Sequence, residues 1–259
     1  MAKLKRVRRV LVRRLAGDET PDFHAGRVRR RAGGGRAGRA GPVLMTGSSG
    51  YVGTLLLPHM DGVDIRTADL RDGVDLSRQR GARRAVRGCS AIVHLAGNPH
   101  PDATHKELRG PNVDAVARVF EAAVSEGVGK VVFASSAHVT GLDEPASPDT
   151  PVRPCCAYGA SKAYGEALGR LYAERAGISV ICLRVGWVLE EERIRALAPE
   201  RRLGTVTPRD LAQIVRLALA SDIGFGIYYA TSGWPGSPYD IGSARAELGY
   251  RPVDGGHPS

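Results

Sequence analysis

From residue 42 onward the chain alternates short apolar runs with longer stretches whose apolar residues recur every three or four positions. The runs 43–46, 63–68, 90–95, 130–135, 179–185 and 226–230 read as strands. Most have apolar cores without polar alternation, as expected of strands covered on both faces. Between them, helical periodicity marks 51–59, 82–87, 112–126, 160–176 and 208–220. Strands alternating with helices predict an α/β fold, a Rossmann-type doubly wound parallel sheet. About 75 residues follow the fifth strand. Residues 42–259 are therefore expected to be one domain, ending in a small substrate-binding segment over 186–259.

Residues 1–41 have a different character. Leu4, Val7, Leu11 and Leu15 fall at helical spacing between arginines, and 27–41 is almost wholly Arg, Gly and Ala. The pattern predicts a basic leader, helical at its start and disordered beyond. The net charge of +10 changes little about the rest. Residues 1–42 carry 13 Lys/Arg and 3 Asp/Glu, and the remainder carries 24 of each. The leader reads either as a tether for an anionic surface or as an inert extension. The balanced body points to no specific nucleic-acid or membrane partner.

No apolar run reaches the ~18–20 residues of a membrane span, and no signal peptide is evident. Cys89, Cys155, Cys156 and Cys182 form no CxxC pair, and no His stands at ligand spacing from them in the sequence. Reduced thiols in a cytoplasmic protein, with no metal site, are the expectation.

The run Thr46-Gly47-Ser48-Ser49-Gly50-Tyr51-Val52-Gly53 links the first strand to the first helix. Gly47 permits the tight turn, Gly50 lets backbone approach a pyrophosphate, and Gly53 allows helix to pack on sheet. Ser49, Tyr51 and Val52 fall in the same phosphate-binding turn. Asp69, 19 residues after Gly50 at the end of the second strand, suits the ribose hydroxyls and repels a 2′-phosphate. NAD is therefore expected over NADP, with Arg71 keeping NADP open. Asp75 and Leu76 before the next helix, and Leu95, Ala96 and Gly97 after the third strand, complete the expected cofactor site. His94 reads as a structural residue.

Tyr158 and Lys162 stand one helical turn apart on one face. A tyrosine titrating near ~10 is a poor base at neutral pH. A nearby ammonium is expected to lower its pKa and make it a proton acceptor, with Ser136 bonding the same substrate oxygen. Together with Asn112, Ser135 and the glycine turn, this set resembles the extended short-chain dehydrogenases, or NAD-dependent epimerase/dehydratase family, over about residues 42–253. The resemblance implies that Ser136, Tyr158 and Lys162 are catalytic, that Asn112 is a structural and proton-relay position, and that the chain forms a homodimer.

The segment 133–138 and the tail 232–234 with 248–252 are most similar to uronate dehydrogenases. The chain departs from them at Ala137, where they carry Asn, and at Gly186-Trp187, where they carry Gly-Ser. Ser135, Ser136, His138, Trp187 and Arg201 are the substrate-binding candidates, with Arg202 an alternative carboxylate partner. Arg184 reads as structural. The expected function is an oxidoreductase moving a hydride between nicotinamide and a sugar or sugar acid. An NAD-retaining epimerase or dehydratase and a non-catalytic NAD sensor are the alternatives.

Overall fold

The computed structural model describes residues 41–142 and 144–255, so the leader reading falls almost wholly outside the described residues. Six parallel strands form one sheet: β1 (Val43–Thr46), β2 (Ile65–Ala68), β3 (Ala91–His94), β4 (Lys130–Ser136), β5 (Ser179–Val185) and β8 (Phe225–Ala230). Their spatial order is β2-β1-β3-β4-β5-β8. Register is continuous, with Thr46 beside both Ala68 and His94, and Ser136 beside Val185. A separate ribbon pairs β6 (Trp187–Val188) with β7 (Thr205–Val206).

Period-two alternation sends each strand's apolar side chains to both faces, and helices cover each face. Leu44, Ile92, Val131, Phe133 and Val180 join one core with α2 (Gln79–Val86) and α4 (Ala115–Glu126). Met45, Val93, Val132, Ile181 and Leu183 join the other with α8 (Pro208–Ala220) and the returning tail.

Departures from the sequence expectation have local causes. Residues 63 and 64 belong to the turn before β2, where Val63 donates to the Met60 carbonyl at 3.2 Å. β2 itself is an edge strand with Arg66 and Thr67 exposed. The first helix is α only over α1 (Tyr51–Leu56), tightening to a 3₁₀ turn at Leu57–His59. The helix expected from residue 112 instead opens as a wide π turn, Arg109–Asp114. Pro111 has no N–H for the regular ladder there. Three short helices lie outside the periodic segments: α3 (His105–Leu108), α6 (Glu191–Arg195) and α7 (Pro199–Arg202).

The segment after β5 is not one unit. α8 and β8 rejoin the main sheet assembly, leaving the β6–β7 ribbon, α6 and α7 at the strand ends. Asp210 on α8 is buried and accepts from the Ser232 hydroxyl at 2.6 Å and the Val253 N–H at 2.7 Å, fastening the tail. Among the described residues, no helix is long and apolar enough to cross a membrane.

Candidate active site

Strand order reverses between β1 and β3, the place where an open parallel sheet leaves a crevice at its carboxyl edge. Gly47 has φ +72°, and a Cβ there would lie 2.6 Å from the Ala96 nitrogen. A Cβ at Gly53 would lie 2.3 Å from the Gly47 carbonyl oxygen. Turn, strand and helix thus meet with no side chain between them, so bare backbone faces the crevice. A cavity of about 780 Å³ opens over it. Gly47, Ser49, Gly50, Tyr51, Val52, Gly53, Asp69, Asp75, Leu76, Leu95, Ala96 and Gly97 all line it. A backbone cradle with a carboxylate at its far side fits a dinucleotide.

Asp69 accepts from the Ser49 N–H at 3.1 Å and the Arg71 N–H at 3.4 Å. Burial pushes its pKa up, but hydrogen bonds led by Ser49 outweigh burial and hold it below the usual carboxylate value. Asp75 binds the Ser77 hydroxyl at 2.6 Å, which lowers its pKa too. Asn112, turned inward by the π turn, accepts from the Asn98 N–H at 2.7 Å. It also donates to the Asn98 carbonyl at 3.0 Å and to Ser161 Oγ at 3.1 Å. The loop after β3 is thereby tied to the next helix. His94 is buried, bonded through Nδ1 to Thr46 Oγ1 at 2.7 Å. Burial, aided by the Lys162 charge, depresses its pKa to about 3 and keeps it neutral.

The twenty-residue helix α5 (Ala157–Ala176) begins just before Tyr158. Lys162, one turn on, is buried and donates to the Ala134 carbonyl on β4 at 2.7 Å. Ser136 ends β4 on the same cavity as Tyr158, close enough for its hydroxyl to act on the Tyr158 pKa as a hydrogen-bonding group. The electrostatics differ from the sequence expectation. Burial raises the Tyr158 pKa, more than the Ser136 bond lowers it, and the Cys156 thiol adds to the rise. Lys162 does not offset this: its Nζ is engaged by Ala134, 5.7 Å from the Tyr158 ring centroid. Its own pKa is pulled down by burial to about 8.

A second cavity, about 590 Å³, is lined by Ser135, Ser136, His138, Tyr158, Lys162, Trp187 and Arg201. It meets the first along Tyr51, Val52, Leu95, Gly97, Asn98 and Pro99. Both sizes lie within the usual small-ligand range. Ser135 touches the cavity, but its hydroxyl donates to Glu166 Oε1 at 2.6 Å. Glu166 is also held by Arg184, whose Nε and Nη2 each donate at 2.9 Å. Ser136 is therefore the serine left to act with Tyr158 on this cavity. Arg202 donates to the Leu197 and Arg195 carbonyls at 2.9 and 2.8 Å, leaving Arg201 as the arginine on the cavity. Among the described residues, no acidic one lines this cavity.

Thr205 and Tyr239 also line it, and sequence periodicity carries no signal for either. Although no histidine stands near the cysteines in the sequence, one meets them in space: His138 Nδ1 lies 3.1 Å from Cys155 Sγ and 3.5 Å from Cys156 Sγ. All four cysteines lack disulfides.

Comparison with known proteins agrees with this architecture. The NAD dependent epimerase/dehydratase family matches residues 43–219. The chain is 33% identical over 245 residues to an NAD-dependent glucose-6-phosphate dehydrogenase of Haloferax volcanii, covering 82% of this chain and 93% of that one. It is 32% identical over 227 residues to a uronate dehydrogenase of Pseudomonas putida, covering 85% and 82% respectively. A solved mutated uronate dehydrogenase superposes with a TM-score of 0.71 at 26% identity, over 83% of this chain and 82% of that one. With the sheet order, the glycine cradle and a family match over most of its length, the chain belongs to the NAD dependent epimerase/dehydratase family.

Proposed function

We propose that this protein is an NAD-dependent dehydrogenase that oxidises a hydroxyl of a small anionic sugar, either a sugar acid or a sugar phosphate. The carrying observation is that Ser136, Tyr158 and Lys162 share a cavity continuous with the dinucleotide cradle. Arg201 and the lack of lining carboxylates among the described residues favour a substrate with negative charge. The exposed Trp187 offers an apolar face for a sugar ring. The two curated relatives named above are dehydrogenases of a sugar phosphate and of a uronate.

Bound NAD supplies the hydride acceptor, and the protein's own groups handle the proton. Ser136 donates a hydrogen bond to the substrate oxygen and holds it beside Tyr158. Tyr158 takes the hydroxyl proton as the carbon loses its hydride, leaving a carbonyl. Lys162, held by the Ala134 carbonyl one turn beyond Tyr158, is the cation that would stabilise the phenolate once it turns from that carbonyl. Asp69 holds the adenosine ribose, and Asn112 keeps the post-β3 loop on the helix that carries the reacting pair.

A panel of sugar acids, sugar phosphates and neutral aldoses, assayed with NAD for NADH absorbance, tests this. Anionic sugars should turn over, and Tyr158→Phe should lose roughly 10²–10⁴-fold in rate with NAD binding intact. Isomerised sugar without net NADH would identify an epimerase instead. Cofactor binding with no turnover of any sugar would overturn the reading.

A further inference from the structure

The 3₁₀ turn after β4 and the loop into α5 meet at the wall of the substrate cavity, where the proposed reaction uses neither cysteine. His138 comes from the turn Ala137–Val139, and Cys155 and Cys156 come from the residues just before α5. Backbone hydrogen bonds fasten the segments: Arg153 N–H to the Val139 carbonyl at 2.9 Å, and Cys155 N–H to the His138 carbonyl at 3.3 Å. The three side-chain donors are therefore brought together by ordered backbone on both sides.

We propose that His138, Cys155 and Cys156 form a site for one thiophilic divalent cation of the zinc class, at the wall of the substrate cavity. The separations are 3.9 Å between the two sulfurs, 3.5 Å from Nδ1 to Cys156 Sγ and 3.1 Å from Nδ1 to Cys155 Sγ. A tetrahedral zinc with bonds of about 2.3 Å to sulfur and about 2.0–2.1 Å to nitrogen needs donors about 3.8 Å apart for S–S and about 3.6 Å for N–S. Two pairs already match within about 0.1 Å, and the third needs a shift of about 0.5 Å, a small rotation of the exposed Cys155 side chain. One imidazole with two thiolates is a soft donor set, which favours zinc, cadmium or cobalt over magnesium or calcium. Three protein ligands leave a fourth coordination position for solvent or an exogenous ligand.

Location gives the site a consequence. His138 lines the substrate cavity beside Ser136, and its ring meets the Tyr158 ring edge-on at 5.6 Å. A cation on Nδ1 fixes that ring and withdraws it from the substrate oxygen held beside Ser136. Occupancy therefore blocks turnover, and this part rests on the proposed function.

The test titrates the full-length protein with Co²⁺ as probe. One equivalent should produce a thiolate-to-cobalt charge-transfer band in the near ultraviolet, displaced by Zn²⁺. Cys155→Ser/Cys156→Ser should abolish the band and weaken Co²⁺ binding at least tenfold. Zn²⁺ should inhibit the wild type reversibly by chelator and spare the double variant. Absence of the band at one equivalent, or its survival in the double variant, overturns the site. The band without Zn²⁺ inhibition overturns the blocking role. The band in a protein that oxidises no sugar refutes the proposed function and supports the metal site.

Discussion

Glu166 stands one turn beyond Lys162 on α5, and replacing it with Ala leaves the Arg184 guanidinium in the core without its counter-charge. Arg184 is 1% exposed and Glu166 4%, so water cannot compensate. The carboxylate accepts two charge-assisted bonds from Arg184 and one from Ser135. Removing one partner of a buried pair costs about 3–5 kcal/mol, a large part of the roughly 5–15 kcal/mol typical of a whole fold. For a chain of this size that corresponds to a fall in Tm of roughly 6–20 °C.

Glu166→Gln keeps the shape and an acceptor for Ser135, so its cost should be smaller. Replacing both partners, as Glu166→Leu/Arg184→Met, should recover much of the loss because no charge is left buried. Urea unfolding of wild type, both single variants and the double variant reads these values directly. A Glu166→Ala protein within about 1 kcal/mol of wild type would refute the idea that this pair joins α5 to the sheet. So would a double variant no more stable than Glu166→Ala.

Asp69→Ser should weaken NAD binding by about 1.5–3 kcal/mol, roughly ten- to hundredfold, and narrow the preference over NADP, as followed by cofactor titration; an unchanged preference removes Asp69 from the ribose site. Gly53→Ala, with its Cβ aimed at the Gly47 carbonyl, should cost about 1–3 kcal/mol in urea unfolding and weaken NAD binding as well. Lys162 titrates at about 8 in the folded protein, against the ordinary lysine value of 10.5. Between these values the unfolded chain binds the extra proton, so its burial penalty is complete below pH 8 and is relieved as pH rises toward 10.5. Wild type should therefore gain roughly 3 kcal/mol relative to Lys162→Met across that range, and parallel stability curves for the two proteins would contradict it.

The sheet is legible in the sequence because its strands carry their signal locally. Val131, Val132 and Phe133 are apolar in succession and are buried on alternate faces. β2 is shorter than its apolar pattern because an edge strand buries one end only, so Val63 resembles a strand residue while serving a turn. Pro111 is the one sequence signal for the irregular turn at Asn112, since a missing N–H inside a helical pattern must be accommodated somewhere. The residues expected at the two ligand sites, Asn112 apart, line two adjoining cavities. The direction of the Tyr158 shift escapes sequence reasoning because spacing along a helix says nothing of how far the ring is buried, nor that Lys162 is engaged by Ala134 of another element. His138 and Cys155 lie 17 residues apart, and no spacing rule brings a 3₁₀ turn and an irregular loop together.

The two cavities adjoin along the residues they share. Each ligand then completes the enclosure of the other, and a filled cradle changes what the substrate meets. Thermodynamic reciprocity fixes the size of that effect: whatever factor NAD adds to sugar affinity, the sugar adds to NAD affinity. Any cooperativity between the two molecules would run through the placement of Tyr51, Leu95 and Asn98, with no moving domain required.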